Sequence, residues 1–359
     1  MVISKASSTN LHGAKRAKND EFYTRLEDIE AEISQHKDYV AQFEGKTVLC
    51  NCDDPEWSNF FQFFKLHFKQ LKLKKLITTH YNKDGAPSYK LEWDGEMLND
   101  DMVNLVKTPL SGNGDFRSDE CVDILKEADI VVTNPPFSIA REAFIPLLIE
   151  HNKKFVIIGD LNWITYKTVF PLLKEKKMFF GYTNVKEFKT PDGAIQKFGN
   201  KVWFTNFDLD KAHEPLILTK NFKGNESKYP QYDNYNAIDV SKVSDIPKDY
   251  ENMMGVPITF LASYCSEQFD IFGITSGRDE FDKCAWPTKR YTNPKQHSFK
   301  DGKWVESNGS KVNTRSTLII EDLGGRETYY TSDNSTNKLK ICYARILIKR
   351  KPQKEDVDE

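Results

Sequence analysis

A short segment rich in hydrogen-bond acceptors, Asn134-Pro135-Pro136-Phe137, directly follows the apolar run at residues 129–133. Two consecutive prolines fix φ and cannot donate backbone hydrogen bonds, so the carbonyl groups around them can accept from a ligand. The side-chain oxygen of Asn134 is a further acceptor, and the ring of Phe137 offers a flat face for stacking. These residues predict a rigid pocket for a planar group with an exocyclic amine, such as adenine.

The flanking residues would place this segment at the edge of a sheet. Residues 129–133 predict a buried strand, and apolar residues at helical spacing predict a helix over residues 138–150. Ligands of open α/β sheets bind outside the carboxyl ends of the strands, which favours a functional site. The alternative is an ordinary turn, because Asn-Pro and Pro-Pro are common in loops.

Three further segments combine acceptors or aromatic rings with a position at an element boundary: Glu21-Phe22-Tyr23-Thr24, Asn51-Cys52-Asp53-Asp54-Pro55 and Gly114-Asp115-Phe116. The carboxylates after residue 50 can bind hydroxyl or ammonium groups of a nucleotide or methyl donor. No Gly-x-Gly turn is present there, which argues against a dinucleotide or P-loop site. The alternatives are a helix cap at residues 53–54, a turn at residues 114–116, and an N-cap with a hydrophobic staple at Thr24.

The elements that would position these segments alternate between strands and helices. Strands are predicted at residues 46–50, 76–78, 129–133 and 155–159, and helices at residues 26–39, 57–71, 121–128 and 163–174. Residues 82–114 are turn-rich and allow one more strand, at residues 89–93. The helix at residues 57–71 has an aromatic face that includes Trp57, Phe60 and Phe64, expected to pack on the sheet. Residues 178–182 and 201–207 predict an antiparallel edge. The pattern is typical of an α/β fold with a doubly wound, mostly parallel, Rossmann-like sheet.

The pattern changes after Asn206, where short β-like runs at residues 258–261, 318–320 and 341–348 lie between loops. Residues 284–354 contain 15 Lys and Arg against 6 Asp and Glu, although the whole chain has a net charge of −2. Such a basic segment is typical of a nucleic-acid contact; the alternative is a solvated, lysine-rich surface. We predict a flexible basic arm at residues 1–18, a catalytic domain at 19–206 and a smaller β-rich or irregular recognition region at 207–359.

Composition excludes several classes of protein. No run approaches 18 apolar residues, and the amino terminus has no apolar signal core. The six cysteines show neither a disulfide framework nor paired zinc spacing. These features predict a soluble, cytoplasmic protein with reduced cysteines.

The order of the four segments resembles that of amino-DNA methyltransferases that use S-adenosylmethionine (SAM). More narrowly, the chain is similar to the EcoRI-type adenine-specific DNA methyltransferases over nearly its whole length. The phrases that carry this resemblance are residues 18–24 (KNDEFYT), 131–138 (VVTNPPFS), 202–206 (VWFTN) and 254–260 (MGVPITF). The chain departs from most SAM enzymes of this fold at Asn51-Cys52-Asp53-Asp54-Pro55, where they carry a glycine-rich turn.

The resemblance implies SAM as the cofactor, with no metal, and double-stranded DNA as the partner. It implies that Tyr23 and Thr24 contact SAM at its methionine end, that Asp115 and Phe116 contact its adenine, and that Asp53 or Asp54 contacts its ribose or amino group. Phe22 and Asn51 are further cofactor-binding candidates. Acceptors at Asn134 and Pro135 would hold the N6 hydrogens of a flipped adenine, with Pro136 stiffening the segment. Phe137 would stack on the base, and Trp203 or Phe204 would close its other face, with core packing as the alternative for both.

The resemblance also implies a monomer, a possible cognate restriction endonuclease that acts separately on the same site, and GAATTC as a candidate site. Candidate base-reading residues in the carboxyl-terminal region are Arg278, Arg290, Arg315, Arg326 and Arg345. One alternative is a methyltransferase of another planar amine, such as an RNA base, cytosine N4 or a protein glutamine. Another is a catalytically silent DNA-binding module, which the intact Asn134 and Phe137 argue against.

Overall fold

In a computed structural model of the protein, the structure describes residues 23–52, 55–96, 104–190, 193–276 and 287–352. These residues form two compact units. The first runs up to Trp163 and includes Glu175–Leu209. The second consists of Ile164–Lys174 and the chain from Asp210 onward.

A single mixed sheet organises the first unit. Its nine described strands are β1 (Tyr23–Thr24), β2 (Thr47–Cys50), β3 (Lys75–Thr79), β4 (Tyr89–Trp93), β5 (Val106–Pro109), β6 (Ile130–Thr133), β7 (Lys154–Asp160), β8 (Phe179–Lys189) and β9 (Ile195–Thr205). They lie in the order β1-β8-β9-β7-β6-β2-β3-β4-β5.

Only the centre of this sheet is parallel. The pairs β7·β6, β6·β2 and β2·β3 are parallel, whereas the five outer pairs of the described strands are antiparallel. The predicted α/β fold and the antiparallel edge at β8 and β9 are confirmed. The prediction of a mostly parallel sheet is wrong. The strand considered at residues 89–93 is β4, and it pairs with β3 and β5 in a second antiparallel edge.

Helices of the first unit pack beside this sheet. Those described are α1 (Leu26–Ile33), α2 (Tyr39–Phe43), α3 (Asn59–His67), α4 (Asp119–Glu127) and α5 (Ile145–Glu150), and the second unit adds α6 (Phe170–Lys174). The helix predicted over residues 26–39 ends at Ile33. Residues 34–38 form a turn, and Asp38, at a φ of 49°, is the N-cap of α2. The helix predicted over residues 138–150 begins with a π-helical turn at Ala140–Phe144.

Helix α3 supplies much of the core through its aromatic face. Phe60 and Phe64 are fully buried, so the 3.6-residue spacing correctly predicted the packed side. Trp57, in contrast, is 67% exposed. It lies before the helix, which begins after its N-cap Ser58, whose hydroxyl accepts from the backbone N–H of Phe61 at 3.4 Å.

The second unit contains two described sheets. One has the order β10-β11-β18-β12 and the other β14-β13-β16-β17-β15. Their strands are β10 (Ile238–Asp239), β11 (Met254–Pro257), β12 (Phe269–Ile274), β13 (Lys295–Lys300), β14 (Lys303–Asn308), β15 (Thr317–Ile320), β16 (Thr328–Ser332), β17 (Ser335–Ile341) and β18 (Arg345–Arg350). The β-like run predicted at residues 258–261 is wrong, since Ile258–Ser263 is a 3-10 helix that follows Pro257. Across the residues described in either unit, no helix is long and apolar enough to cross a membrane.

Candidate active site

The acceptor-rich segment lies where two parallel strands end side by side. Asn134 follows β6, and Asn51 follows the neighbouring strand β2. The hydroxyl of Thr133, the last residue of β6, donates to the backbone carbonyl of Asn51. The structure therefore brings the two predicted asparagines to the same edge of the sheet.

The segment itself is rigid and mostly buried. Asn134 is 8% exposed, Pro135 is buried, and Pro136 and Phe137 are half-buried. The carbonyl of Pro136 accepts from the backbone N–H groups of Ile139 and Ala140, at 3.2 and 3.1 Å. The Pro136 carbonyl thus accepts the first hydrogen bonds of the following helical turn. It is less available to a ligand than the sequence predicted, whereas the prediction for the Pro135 carbonyl is unaffected.

The loop that contains Gly114 lies against the end of β3. Gly114 has a φ of +81°, and a Cβ there would overlap the carbonyl oxygen of His80, which directly follows β3. The backbone N–H of Asn82 donates to the carbonyl of Asn113 at 2.8 Å. This close approach requires glycine, and it places the loop beside β2 and β3 on the edge where Asn51 lies.

Asp115 and Phe116 are held within this loop by different contacts. Arg117 donates to the Asp115 carboxylate from Nε at 2.9 Å and from Nη2 at 2.6 Å. These side-chain hydrogen bonds hold the pKa of Asp115 below its usual range, so the carboxylate stays ionised. The ring of Phe116 packs edge-to-face on Phe144, with centroids 5.0 Å apart. Asp115 remains a candidate acceptor and Phe116 a candidate stacking surface.

The residues before α1 form β1, the edge strand next to β8. Two contacts of Thr24 connect them to β8 and to α3. Thr24 pairs with Phe188 of β8, and its carbonyl accepts from Asn59 Nδ2 of α3 at 2.6 Å. Thr24 does not cap α1, because the N-cap residue is Arg25. The N-cap interpretation of Thr24 is therefore excluded.

Two polar atoms near these contacts are buried without a hydrogen-bond partner: Thr24 Oγ1 and Asn51 Oδ1, among the side chains that the structure describes. A buried polar atom left unpaired costs free energy, so such atoms mark positions where a ligand can bind. Three other candidates, Phe22, Asp53 and Asp54, lie outside the described residues.

Phe137 has three ring or cation neighbours among the described residues. The rings of Trp163 and Phe188 approach it at 6.4 and 6.2 Å between centroids. The ammonium of Lys201 lies over the Phe137 ring, 4.0 Å from its centre. Because Phe188 pairs with Thr24, the aromatic end of the acceptor-rich segment is linked to the residues before α1.

Trp203 and Phe204 lie inside the core, both at 0% exposure. Trp203 packs edge-to-face against Phe60 at 6.1 Å, and Phe204 stacks on Trp163 at 5.7 Å. Their surroundings match the core-packing alternative, and the structure does not bring either ring into ring contact with Phe137 among the described pairs.

Sequence reasoning missed Asp160 and Lys201, which lie opposite each other on β7 and β9. Lys201 Nζ is 3.0 Å from Asp160 Oδ2. The signal that could have found them is a lysine at the start of an apolar strand segment, Lys201-Val202-Trp203-Phe204, since a lysine buried on a strand needs a partner.

The candidate base-reading arginines of the second unit differ in their surroundings. Arg345 forms a partly buried ion pair, with Nε 2.9 Å from the buried Asp239 at Oδ1, so its guanidinium already has a partner within this unit. Arg290 and Arg326 are exposed and Arg315 is half-buried. Arg278 lies outside the described residues.

Comparisons with known proteins agree on one family. The family described as "Adenine-specific methyltransferase EcoRI" matches residues 10–351. The type II methyltransferase M.EcoRI of Escherichia coli is 44% identical over 305 residues, which cover 77% of this chain and 92% of that protein. M.MgeORF184P of Mycoplasma genitalium is 42% identical over 279 residues, covering 72% of this chain and 84% of that protein. M.MpnI of Mycoplasma pneumoniae is also 42% identical, over 277 residues that cover 72% and 83%. The chain therefore belongs to the EcoRI family of adenine-specific methyltransferases and is an adenine-specific DNA methyltransferase.

Proposed function

We propose that the chain transfers a methyl group from SAM to N6 of an adenine that is flipped out of double-stranded DNA, with Asn134-Pro135-Pro136-Phe137 as the catalytic segment. The observation that carries this assignment is the hydrogen bond from Thr133 to Asn51. It joins the segment to the end of β2, so a base held at Asn134 and a donor held at Asn51 would meet.

Asn134 and Pro135 would activate the amine by accepting its hydrogens. The lone pair of an adenine amine is delocalised into the ring, which makes N6 a poor nucleophile. The Asn134 side-chain oxygen and the Pro135 carbonyl would accept one N–H each and favour a tetrahedral nitrogen, whose lone pair is localised. Because the prolines fix these acceptors before the base arrives, catalysis would come from positioning and preorganised dipoles.

SAM, when bound, supplies a methyl group on a positively charged sulfur. The unpaired acceptors Thr24 Oγ1 and Asn51 Oδ1 fit the ammonium and hydroxyl groups of such a molecule. Asp115 would accept from the exocyclic amine of its adenine and Phe116 would pack on the ring. We interpret the parallel strands β7, β6, β2 and β3 as the Rossmann-like core that holds SAM, with Tyr23, and with Phe22, Asp53 and Asp54, completing the contacts.

The target base must leave the duplex to reach Asn134, at a cost of a few kcal/mol. Phe137 would offset part of this cost by stacking on the base. Base–aromatic stacking contributes about 1–3 kcal/mol per base. Trp203 and Phe204, buried at 0% exposure, would support the pocket from behind in this proposal.

The second unit would contact the DNA, and one exposed sheet face supports that role. Phe299 and Trp304 are 42% and 43% exposed and lie opposite each other on β13 and β14. Trp304 packs on Tyr329 at 5.1 Å, and Lys338 Nζ lies 5.3 Å from the centre of that ring. Exposed aromatic rings with lysines beside them suit a sugar-phosphate backbone and unstacked bases. We propose residues 19–206 as the catalytic domain and residues 207–359 as the target-recognition region.

We further propose that the enzyme acts as a monomer in the cytoplasm, alone or beside a separate restriction endonuclease for the same site. Sequencing that detects modified bases, applied to DNA from cells that express the chain, tests the function directly. N6-methyladenine at one short sequence motif is expected. Methylation of cytosine N4, or labelling of RNA or protein instead of DNA, would contradict the assignment.

A further inference from the structure

A partly buried ion pair lies beside the catalytic segment and has no role in the mechanism above. Lys201 is 6% exposed, and its ammonium is 3.0 Å from Asp160 Oδ2. The same carboxylate oxygen accepts from Asn200 Nδ2 at 2.8 Å, and Asp160 Oδ1 accepts from the backbone N–H of Asn162 at 2.8 Å. Asp160 is thus fixed, and Lys201 is held on it.

The ammonium of Lys201 lies between two aromatic rings. It is 4.0 Å from the centre of the Phe137 ring and 5.1 Å from the centre of the Phe198 ring. The other ring neighbours of Phe137 are Trp163 and Phe188, which are buried in the core. Phe198 is half-buried and Gly199 beside it is exposed. The ammonium of Lys201 thus covers Phe137 next to a partly exposed stretch of β9, residues 198–200.

We propose that Lys201 is a placeholder for the target base: its ammonium occupies the face of Phe137 in the base-free protein and is displaced when the flipped adenine stacks there. This inference rests on the proposed role of Phe137 as the stacking surface. It assigns a specificity-determining function to Lys201 and an anchoring function to Asp160.

Lysine suits such a role. Its flexible four-carbon stem lets the ammonium move while the backbone of β9 stays in place. A cation over a ring is stabilising, more so when it is desolvated, so Lys201 competes with the base for Phe137. A base would displace Lys201 only if its binding free energy at Asn134 and Phe137 exceeds the free energy that the lysine loses on leaving the ring. Bases that fit poorly would not meet this condition, so the enzyme would discriminate more strongly against them.

The test is a cycle of two proteins and two DNAs. The duplexes carry the methylation site mapped by modified-base sequencing, one with adenine at the target position and one with an abasic sugar there. Lys201→Met removes the charge and keeps a chain of similar length. The wild-type and Lys201→Met dissociation constants are measured for both duplexes in the presence of S-adenosylhomocysteine. Lys197→Met, which removes an exposed lysine of the same strand, controls for the loss of charge.

The placeholder predicts that Lys201→Met binds the adenine duplex more tightly than the wild type by about 2- to 30-fold, the equivalent of one cation–π contact. With the abasic duplex no base competes for Phe137, so the variant should gain nothing beyond the Lys197→Met control. A lysine that donates to the base gives the opposite sign, weaker binding of the adenine duplex alone. That result, an equal change on both duplexes, or no change would each overturn the proposal.

Removal of Lys201 alone leaves Asp160 without its cation, which can destabilise the fold. The double variant Lys201→Met/Asp160→Asn avoids this, because it has the same net charge as the wild type and the amide oxygen introduced at position 160 can still accept from Asn200. It should show the same gain on the adenine duplex only, with an unfolding temperature near that of the wild type. Methylation by the wild type is independent of these outcomes, so a failed placeholder and a failed proposed function are distinguishable.

Discussion

Gly114→Ala is a sharp test of the loop proposed to hold the SAM adenine. Gly114 has a φ of +81°, and a Cβ there would overlap the backbone carbonyl of His80. The left-handed conformation alone costs an L-residue roughly 1–2 kcal/mol. Relief of the overlap requires the loop to move by on the order of 1 Å, because atoms in contact lie about 3.5 Å apart.

Such a movement would displace Asp115 and Phe116 from the bound cofactor. Loss of one hydrogen bond to a charged group costs about 1.5–3 kcal/mol, which corresponds to a roughly 10- to 150-fold weaker SAM affinity. Gly224→Ala is a matched control, since Gly224 has the same φ of +81° but nothing within 4 Å of its added Cβ. The control should lose stability and keep its affinity for SAM.

Isothermal titration of SAM into the wild type and both variants measures this difference, and thermal unfolding monitored by circular dichroism confirms that each variant is folded. We expect a weaker SAM affinity only for Gly114→Ala, with DNA binding retained. If both glycine variants bind SAM as the wild type does, the loop does not hold the cofactor and the assignment of Asp115 and Phe116 is refuted.

Three further results are expected. Phe137→Ala should lower kcat/KM by about 5- to 150-fold, the equivalent of about 1–3 kcal/mol of stacking, whereas Phe137→Tyr should retain activity; equal losses in both would argue against a stacking role. Hydrogen bonds from Arg117 lower the pKa of Asp115, so Arg117→Ala should raise that pKa. When SAM affinity is measured at decreasing pH, the affinity of the variant should fall at a higher pH than that of the wild type. If both affinities fall at the same pH, Asp115 is excluded as an acceptor for SAM. In a plot of the logarithm of DNA affinity against the logarithm of salt concentration, Lys338→Glu should reduce the steepness of the slope by at least about 1. The control is Lys126→Glu, at an exposed lysine of the first unit. Equal slopes for the two variants would show that Lys338 does not contact DNA.

The parts of the fold that follow from local pattern were predictable from the sequence. Strands β2 and β6 are short apolar runs that each end at an asparagine, and parallel strands align their carboxyl ends. The meeting of Asn51 and Asn134 was therefore implied by the order of segments. The aromatic face of α3 could be predicted from its 3.6-residue spacing. Trp57 is the exception, because periodicity does not locate the N-cap at which the buried stretch ends.

Features that depend on long-range pairing could not be read in this way. β4 pairs with β3, and β5 pairs with β4, to form an antiparallel edge, and a turn-rich sequence does not specify these partners. Asp160 and Lys201 are 41 residues apart and meet only because β7 and β9 pair in one register. The burial of Arg345 against Asp239, 106 residues away, is another such case, and composition alone cannot distinguish it from a DNA contact.

The proposed mechanism depends above all on Asn134 holding the amine that receives the methyl group, and a single substitution examines that role. Transfer of radiolabelled methyl groups from SAM to DNA is measured for the wild type and for Asn134→Ala, beside the affinities of both proteins for SAM and for DNA. We expect methyl transfer to be abolished in the variant, with both affinities retained. Turnover by Asn134→Ala at a rate near that of the wild type would show that the amine is activated elsewhere.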